Sequence, residues 1–171
     1  AIVYASDVRR SAAEQIESVG GRFIEVEGMD DFEDASGYAK PLTPEFIEKV
    51  NEAVCGEAED ADLIITTARI FGRPAPITIP SEAVSRFKSG AVIVDMNADV
   101  GGNCEETVPG EIVSTENAVT VIGTENLPGM LAQTASLLYS NNIVAFILSI
   151  CVFILSVLGV LAKMNMEKSL L

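Results

Sequence analysis

Apolar positions along most of the chain fall into short runs separated by stretches of helical periodicity. Ile2-Val3-Tyr4-Ala5 predicts a strand, and Ala12, Ala13, Ile16 and Val19 follow at helical spacing within residues 9–19 before Gly20-Gly21 ends the pattern. Phe23-Ile24-Glu25-Val26 alternates as a second strand. Thr43-Pro44-Glu45 places a capping hydroxyl, a proline at the first helical position and a carboxylate on the helix dipole; Phe46, Ile47 and Val50 then mark one face of a helix to about Ala53. Further strands are predicted at Leu63-Ile64-Ile65-Thr66, Ala91-Val92-Ile93-Val94 and Val119-Thr120-Val121-Ile122, with a Pro/Gly-rich loop over residues 72–76 and a helix over 81–87. These strands are apolar on both faces and alternate with helical stretches of about a dozen residues, the pattern of a parallel sheet covered on both sides. The expected fold class is α/β, with a doubly wound parallel sheet.

The pattern changes at residue 143. Residues 143–162 hold no charge and no proline, and 20 such residues in a helix rise about 30 Å, the thickness of a bilayer core. The expected organisation is a globular portion over residues 1–142, a transmembrane helix over 143–162 and a short tail over 163–171. Ser149, Ser156 and Gly159 would permit close approach of another helix. Lys163 and Lys168 follow the span, which by the positive-inside rule puts the tail in the cytoplasm or matrix.

Charge and composition narrow the chemistry. The chain of 171 residues carries a formal net charge of -14, and the acidity belongs to residues 1–142, so nucleic acid is excluded as a partner. The absence of histidine removes the usual general base, Ser-His and Cys-His nucleophile pairs, and His-containing zinc sites. Cys55, Cys104 and Cys151 stand far apart and are odd in number, so neither a disulfide framework nor an all-cysteine metal site is expected. The acidic run at Asp30, Asp31, Glu33 and Asp34 lacks the spacing of a calcium loop and reads as a solvated surface; no metal site is expected. Cys104 has no basic activator near it in sequence and reads as structural.

One acid is placed for chemistry. In a dinucleotide-binding fold the second strand ends in a carboxylate that accepts hydrogen bonds from the adenosine ribose hydroxyls, and Asp7 occupies such a place after Ile2-Val3-Tyr4-Ala5. An N-cap for the following helix accounts for Asp7 equally well. Asp7 favours NAD over NADP, although Arg9-Arg10 beside it could pair with a 2'-phosphate. No G-x-G-x-x-G phosphate loop occurs in the chain; it and the first strand of such a fold would lie before Ala1.

Several runs then carry a resemblance. Gly37-Tyr38-Ala39-Lys40, Thr66-Thr67-Ala68, Gly101-Gly102-Asn103-Cys104-Glu105, Thr107-Val108-Pro109-Gly110-Glu111, Ala132-Gln133-Thr134-Ala135-Ser136 and Tyr139-Ser140-Asn141-Asn142 resemble, in this order, the NAD(H)-binding domain of proton-translocating NAD(P) transhydrogenase. Alanine dehydrogenase is related and similarly has a glycine pair and an Asn-x-Pro-Gly turn, here Asn126-Leu127-Pro128-Gly129; Asn103-Cys104-Glu105 and the Tyr-Ser-Asn-Asn ending favour the transhydrogenase. The resemblance implies that Asp7, Val8 and Arg9 contact the adenosine half of NAD(H). It implies that Gly37 and Tyr38 belong to the family's mobile loop, which closes over the nucleotide, and that Ala68 and Arg69 approach the nicotinamide side. Arg69 stands where an aliphatic residue is expected, and the apolar run begins where the family continues with a long stretch completing the domain.

The implied activity is hydride transfer from NADH here to NADP(H) on a partner domain, coupled to proton movement through a membrane domain. The implied partners are the NADP(H)-binding and proton-channel components, in a dimeric assembly. The implied location is a bacterial or mitochondrial inner membrane, with the globular portion on the cytoplasmic or matrix side, against the side suggested by the two lysines. Hydride chemistry belongs to the cofactors, so no catalytic side chain is expected. The rival readings are a membrane-tethered module of the same fold without turnover, and an alanine-dehydrogenase-like oxidoreductase.

Overall fold

The computed structural model describes residues 1–26, 28, 43–70 and 72–169, with side chains described as far as residue 159. The chain divides into two compact units, Ala1–Glu125 and Asn126–Leu171.

The first unit is α/β with a mostly parallel sheet arrangement. Strand β1 (Tyr4–Ala5) leads through a turn to helix α1 (Ala12–Ser18) and strand β2 (Arg22–Phe23), and β1 and β2 pair in parallel. The predicted strands and helix exist here but are shorter than their apolar patterns. Arg9, Arg10 and Ser11 are spent on turns that close with the N–H groups of Ala12 and Ala13 bonded to the carbonyls of Arg9 and Arg10. Helix α2 (Pro44–Ala58) starts as expected, with Thr43 Oγ1 accepting from the Phe46 N–H at 3.3 Å. It runs beyond Ala53 because Cys55 and Ala58 continue its buried face.

Strands β3 (Leu63–Thr66), β4 (Val92–Asp95), β5 (Ile112–Ser114) and β6 (Thr120–Ile122) form a second sheet in the order β3-β4-β6-β5. The β3-β4 and β4-β6 pairs are parallel, as the alternation of strands and helices predicts. Strand β5 is a correction to that expectation: it pairs antiparallel with β6 across the Thr115–Ala118 turn, where Ala118 takes a φ of +62°. Helix α3 (Ser81–Val84) is also shorter than predicted. The Asn117 side-chain amide bonds the carbonyls of Val84 and Phe87 at 2.9 and 3.1 Å, satisfying groups that further helical turns would otherwise have taken up.

Register explains where the core sits. Ile64, Ile93, Val121 and Val113 stand side by side across the four strands and pack against Cys55, Ala58, Ala83 and Val84 of α2 and α3. The opposite face holds Ile65, Val94, Ile122 and Ile112 in register, and there Leu63 and Ile65 are 55% and 56% exposed. Among the described residues the sheet is therefore covered on one face, which corrects the expectation of cover on both.

In the second unit, Asn126 adopts φ +53° and its Oδ1 accepts from the Gly129 N–H at 3.3 Å, opening the short helix α4 (Leu127–Met130). Helix α5 (Ala132–Ser169) follows, 38 residues and about 57 Å long at 1.5 Å per residue. It begins eleven residues before the uncharged run predicted at 143–162. Its segment Ala132–Gly159 is long and apolar enough to cross a membrane, and none of its residues is buried.

Candidate functional site

Ligands of parallel α/β folds bind at the carboxyl ends of the strands, where loops leave the sheet. Here the residues after β1, β3 and β4 matter most.

After β1, Asp7 is gripped by Arg9. Asp7 Oδ1 accepts from the Arg9 backbone N–H at 2.8 Å and from Nε at 2.9 Å, while Oδ2 accepts from Nη2 at 3.0 Å. This hydrogen-bonded guanidinium holds the Asp7 carboxyl below its ordinary value, against the opposing effect of partial burial. Asp7 is not the N-cap of α1, because Ser11 holds that position. Val8 is half-buried in the same turn. The carboxylate has about four lone-pair directions, and Arg9 takes three of them in this conformation. A ribose that needs two acceptors therefore requires the Arg9 side chain to move aside or share.

After β3 and β4 a buried polar network ties two loops together. Asp95, the last residue of β4, is fully buried; its Oδ1 accepts from the Asn97 N–H at 3.0 Å. Its Oδ2 accepts from the N–H groups of Asn103 and Cys104 at 2.6 and 3.0 Å and from Thr107 Oγ1 at 2.7 Å. These four donors compensate the removal of the carboxylate from water. Gly102 is required beside it: φ is +78°, and a Cβ there would stand 2.8 Å from Asp95 Oδ2.

The same loop reaches across to the segment after β3. Asn97 Nδ2 and Asn103 Nδ2 both donate to the Ala68 carbonyl, at 3.1 and 2.8 Å. Asn97 Nδ2 also donates to Asn103 Oδ1 at 2.7 Å, and Asn103 Nδ2 to the Pro76 carbonyl at 2.7 Å. One residue on, Arg69 makes a two-pronged pair with Asp99, Nη1 to Oδ1 at 3.2 Å and Nη2 to Oδ2 at 3.0 Å. A groove of about 780 Å³ opens here, lined by Arg69, Ile70, Gly72, Arg73, Pro74, Val100 and Gly101.

The structure thus brings Asp7, Val8 and Arg9 together in one turn and Ala68 and Arg69 in the irregular segment after β3; Gly37 and Tyr38 lie outside the described residues, as does the acidic run at 30–34. Sequence reasoning missed Asp95, Asn97 and Asp99. The glycine pair Gly101-Gly102 just after an apolar strand was the available signal, since such a pair marks backbone brought close to something buried. Cys104 is buried, and burial pushes its thiol up to about 11, which makes it a poor nucleophile.

Residues 1–163 match the family model described as alanine dehydrogenase/PNT, C-terminal domain. The NAD(P) transhydrogenase subunit alpha of Cereibacter sphaeroides is 47% identical over 145 residues, covering 84% of this chain and 28% of that protein. The crystal structure of transhydrogenase from Sinorhizobium meliloti superposes with a TM-score of 0.68 at 36% identity, covering 85% of this chain and 38% of that one. Alanine dehydrogenase 1 of Staphylococcus aureus is more distant, 30% identical over 108 residues, covering 61% of this chain and 29% of that protein. The chain thus spans well under half the length of these relatives.

Proposed function

Because the chain belongs to the family of alanine dehydrogenase/PNT C-terminal domains, we propose that it is the NAD(H)-binding portion of a proton-translocating NAD(P) transhydrogenase. The observation that carries this reading is the 47% identity to a transhydrogenase alpha subunit over 145 residues, against 30% over 108 residues for an alanine dehydrogenase. In this reading Asp7, Val8 and Arg9 receive the adenosine half of NAD(H), Gly37 and Tyr38 close over it, and Ala68 and Arg69 face the nicotinamide end.

The residues present fit a portion of the cofactor. Asp7 follows a parallel strand by two residues with a carboxylate able to accept from ribose hydroxyls, and its charge repels a 2'-phosphate, so NAD(H) is the nucleotide bound. Arg9 tempers that charge and sets how tightly the ribose is held. The chain has no glycine-rich diphosphate turn. Among the described residues the outer edges of β1 and β3 carry no partner strand, which suits insertion of a further parallel strand that carries such a turn and joins the two sheets into one doubly wound sheet.

Bound NADH supplies the hydride, and NADP+ on a partner domain accepts it. The protein's share is to orient the nicotinamide and keep water from it. The partners are the NADP(H)-binding and proton-channel components, in a dimeric assembly. Helix α5 crosses a bacterial or mitochondrial inner membrane, with residues 1–142 on the cytoplasmic or matrix side and the tail from residue 163 beyond the span.

The test is the full chain reconstituted with the remaining transhydrogenase components, with NADH titrated by its own fluorescence and hydride transfer followed with an NADP analogue. Expected are NADH binding, analogue reduction, and a loss of about 1–3 kcal/mol in NADH affinity for Asp7→Ala, the scale of a charged hydrogen-bond partner. Unchanged affinity would remove Asp7 from the site. Stable folding without nucleotide binding would instead favour a tethered module without turnover.

A further inference from the structure

Two consecutive residues after β3 are held from the loop after β4 by three separate side chains: Asn97 and Asn103 on the Ala68 carbonyl, and Asp99 on the Arg69 guanidinium. We propose that Asn97 and Asn103 are positioning residues that fix the Ala68–Arg69 backbone for the nicotinamide end of the nucleotide. The proposal rests on the NAD(H) reading above.

The amide orientations are not arbitrary. Asn103 Nδ2 faces two carbonyl oxygens, those of Ala68 and Pro76, while its Oδ1 faces the Asn97 amide; the reversed rotamer would set an oxygen against two oxygens. Asn103 is fully buried and Asn97 is 3% exposed, so water offers neither amide an easy replacement partner. Asp95 anchors the arrangement from below by holding the backbone of both asparagines. With two amide donors on it, the Ala68 carbonyl has both lone pairs occupied, and a ligand amide finds no acceptor there. The segment is thereby set before any ligand arrives, which lowers the ordering cost of binding at that end alone.

A role confined to one end of the ligand separates positioning from general stability. Asn117 is the matched control: its side-chain amide likewise bonds the carbonyls of Val84 and Phe87, remote in sequence from both loops. The experiment uses the full chain reconstituted with the remaining transhydrogenase components in detergent micelles, with NADH affinity read by nucleotide fluorescence and ADP-ribose affinity by competition, for wild type, Asn97→Ala and Asn117→Ala. Asn97→Ala is expected to weaken NADH about tenfold while leaving ADP-ribose, which lacks the nicotinamide, at the wild-type value. Asn117→Ala is expected to lower the melting temperature and change neither affinity. A parallel loss of NADH and ADP-ribose in Asn97→Ala, or the same NADH loss in Asn117→Ala, overturns the proposal. A wild-type chain that binds neither ligand overturns the NAD(H) reading instead. Amide hydrogen exchange over residues 67–70 then decides the clamp by itself: faster exchange in Asn97→Ala alone supports it, and equal exchange in all three chains overturns it.

Discussion

The Asp7 carboxylate and the Arg9 guanidinium satisfy each other two residues apart, and this has a pH consequence. Since the folded chain holds Asp7 below its ordinary value near 3.8, the interaction stabilises the fold above that pH and is lost as pH falls through the lower folded-state value. Carboxyl-detected NMR should place the Asp7 midpoint below 3.8 in wild type and return it toward that value in Arg9→Leu. A second prediction concerns Gly102, whose φ of +78° and 2.8 Å approach to Asp95 Oδ2 leave no room for a methyl group. Gly102→Ala should destabilise the chain by roughly 1–3 kcal/mol in urea unfolding. Gly72→Ala, whose added Cβ meets nothing within 4 Å, carries only the backbone strain of its positive φ and should cost less.

At the scale of elements, the second sheet was legible where periodicity and capping agree. Leu63-Ile64-Ile65-Thr66 coincides with β3, and Thr43-Pro44-Glu45 opens α2 with its hydroxyl in the capping position. Strand β5 escaped because Ile112 and Val113 are only two apolar residues beside polar neighbours; its pairing is supplied by β6 through a turn rather than by its own pattern. Asn97 and Asp99 escaped for a different reason: the glycine pair Gly101-Gly102 marks their loop, but nothing local says that the partner of Asn97 is Ala68, 29 residues earlier, or that the partner of Asp99 is Arg69. The long helix carries a testable consequence through its one cysteine. Cys151 is exposed on α5, whereas Cys55 and Cys104 are buried in the first unit. In lipid vesicles a lipophilic maleimide should label Cys151 and a charged maleimide should not; labelling by both would place α5 outside the bilayer. Cys55 and Cys104 should react only after unfolding, with Cys104 additionally suppressed by a thiol raised to about 11.

For the whole molecule, the governing fact is a sheet that, among the described residues, is covered on one face only. Leu63, Ile65 and Ile112 are exposed in one unit, and the edge of β3 beside them is unpaired in the described residues. Such a surface invites association with other strands. The chain on its own should bind a hydrophobic dye and aggregate on dilution from detergent, and under the proposed function co-expression with the proposed transhydrogenase partners should suppress both; light scattering decides it. The pairing of β3 with β4 and of β4 with β6 also has a temporal meaning. Residues joined across the sheet lie 29 positions apart for Leu63 and Val92 and 28 for Val92 and Thr120, so no parallel pair can close until the later strand has been synthesised. Helix α5 starts only ten residues after Ile122. On the ribosome the last parallel strand therefore emerges just ahead of the apolar helix, and in the membrane-spanning reading sheet closure competes in time with capture of that helix by the targeting machinery.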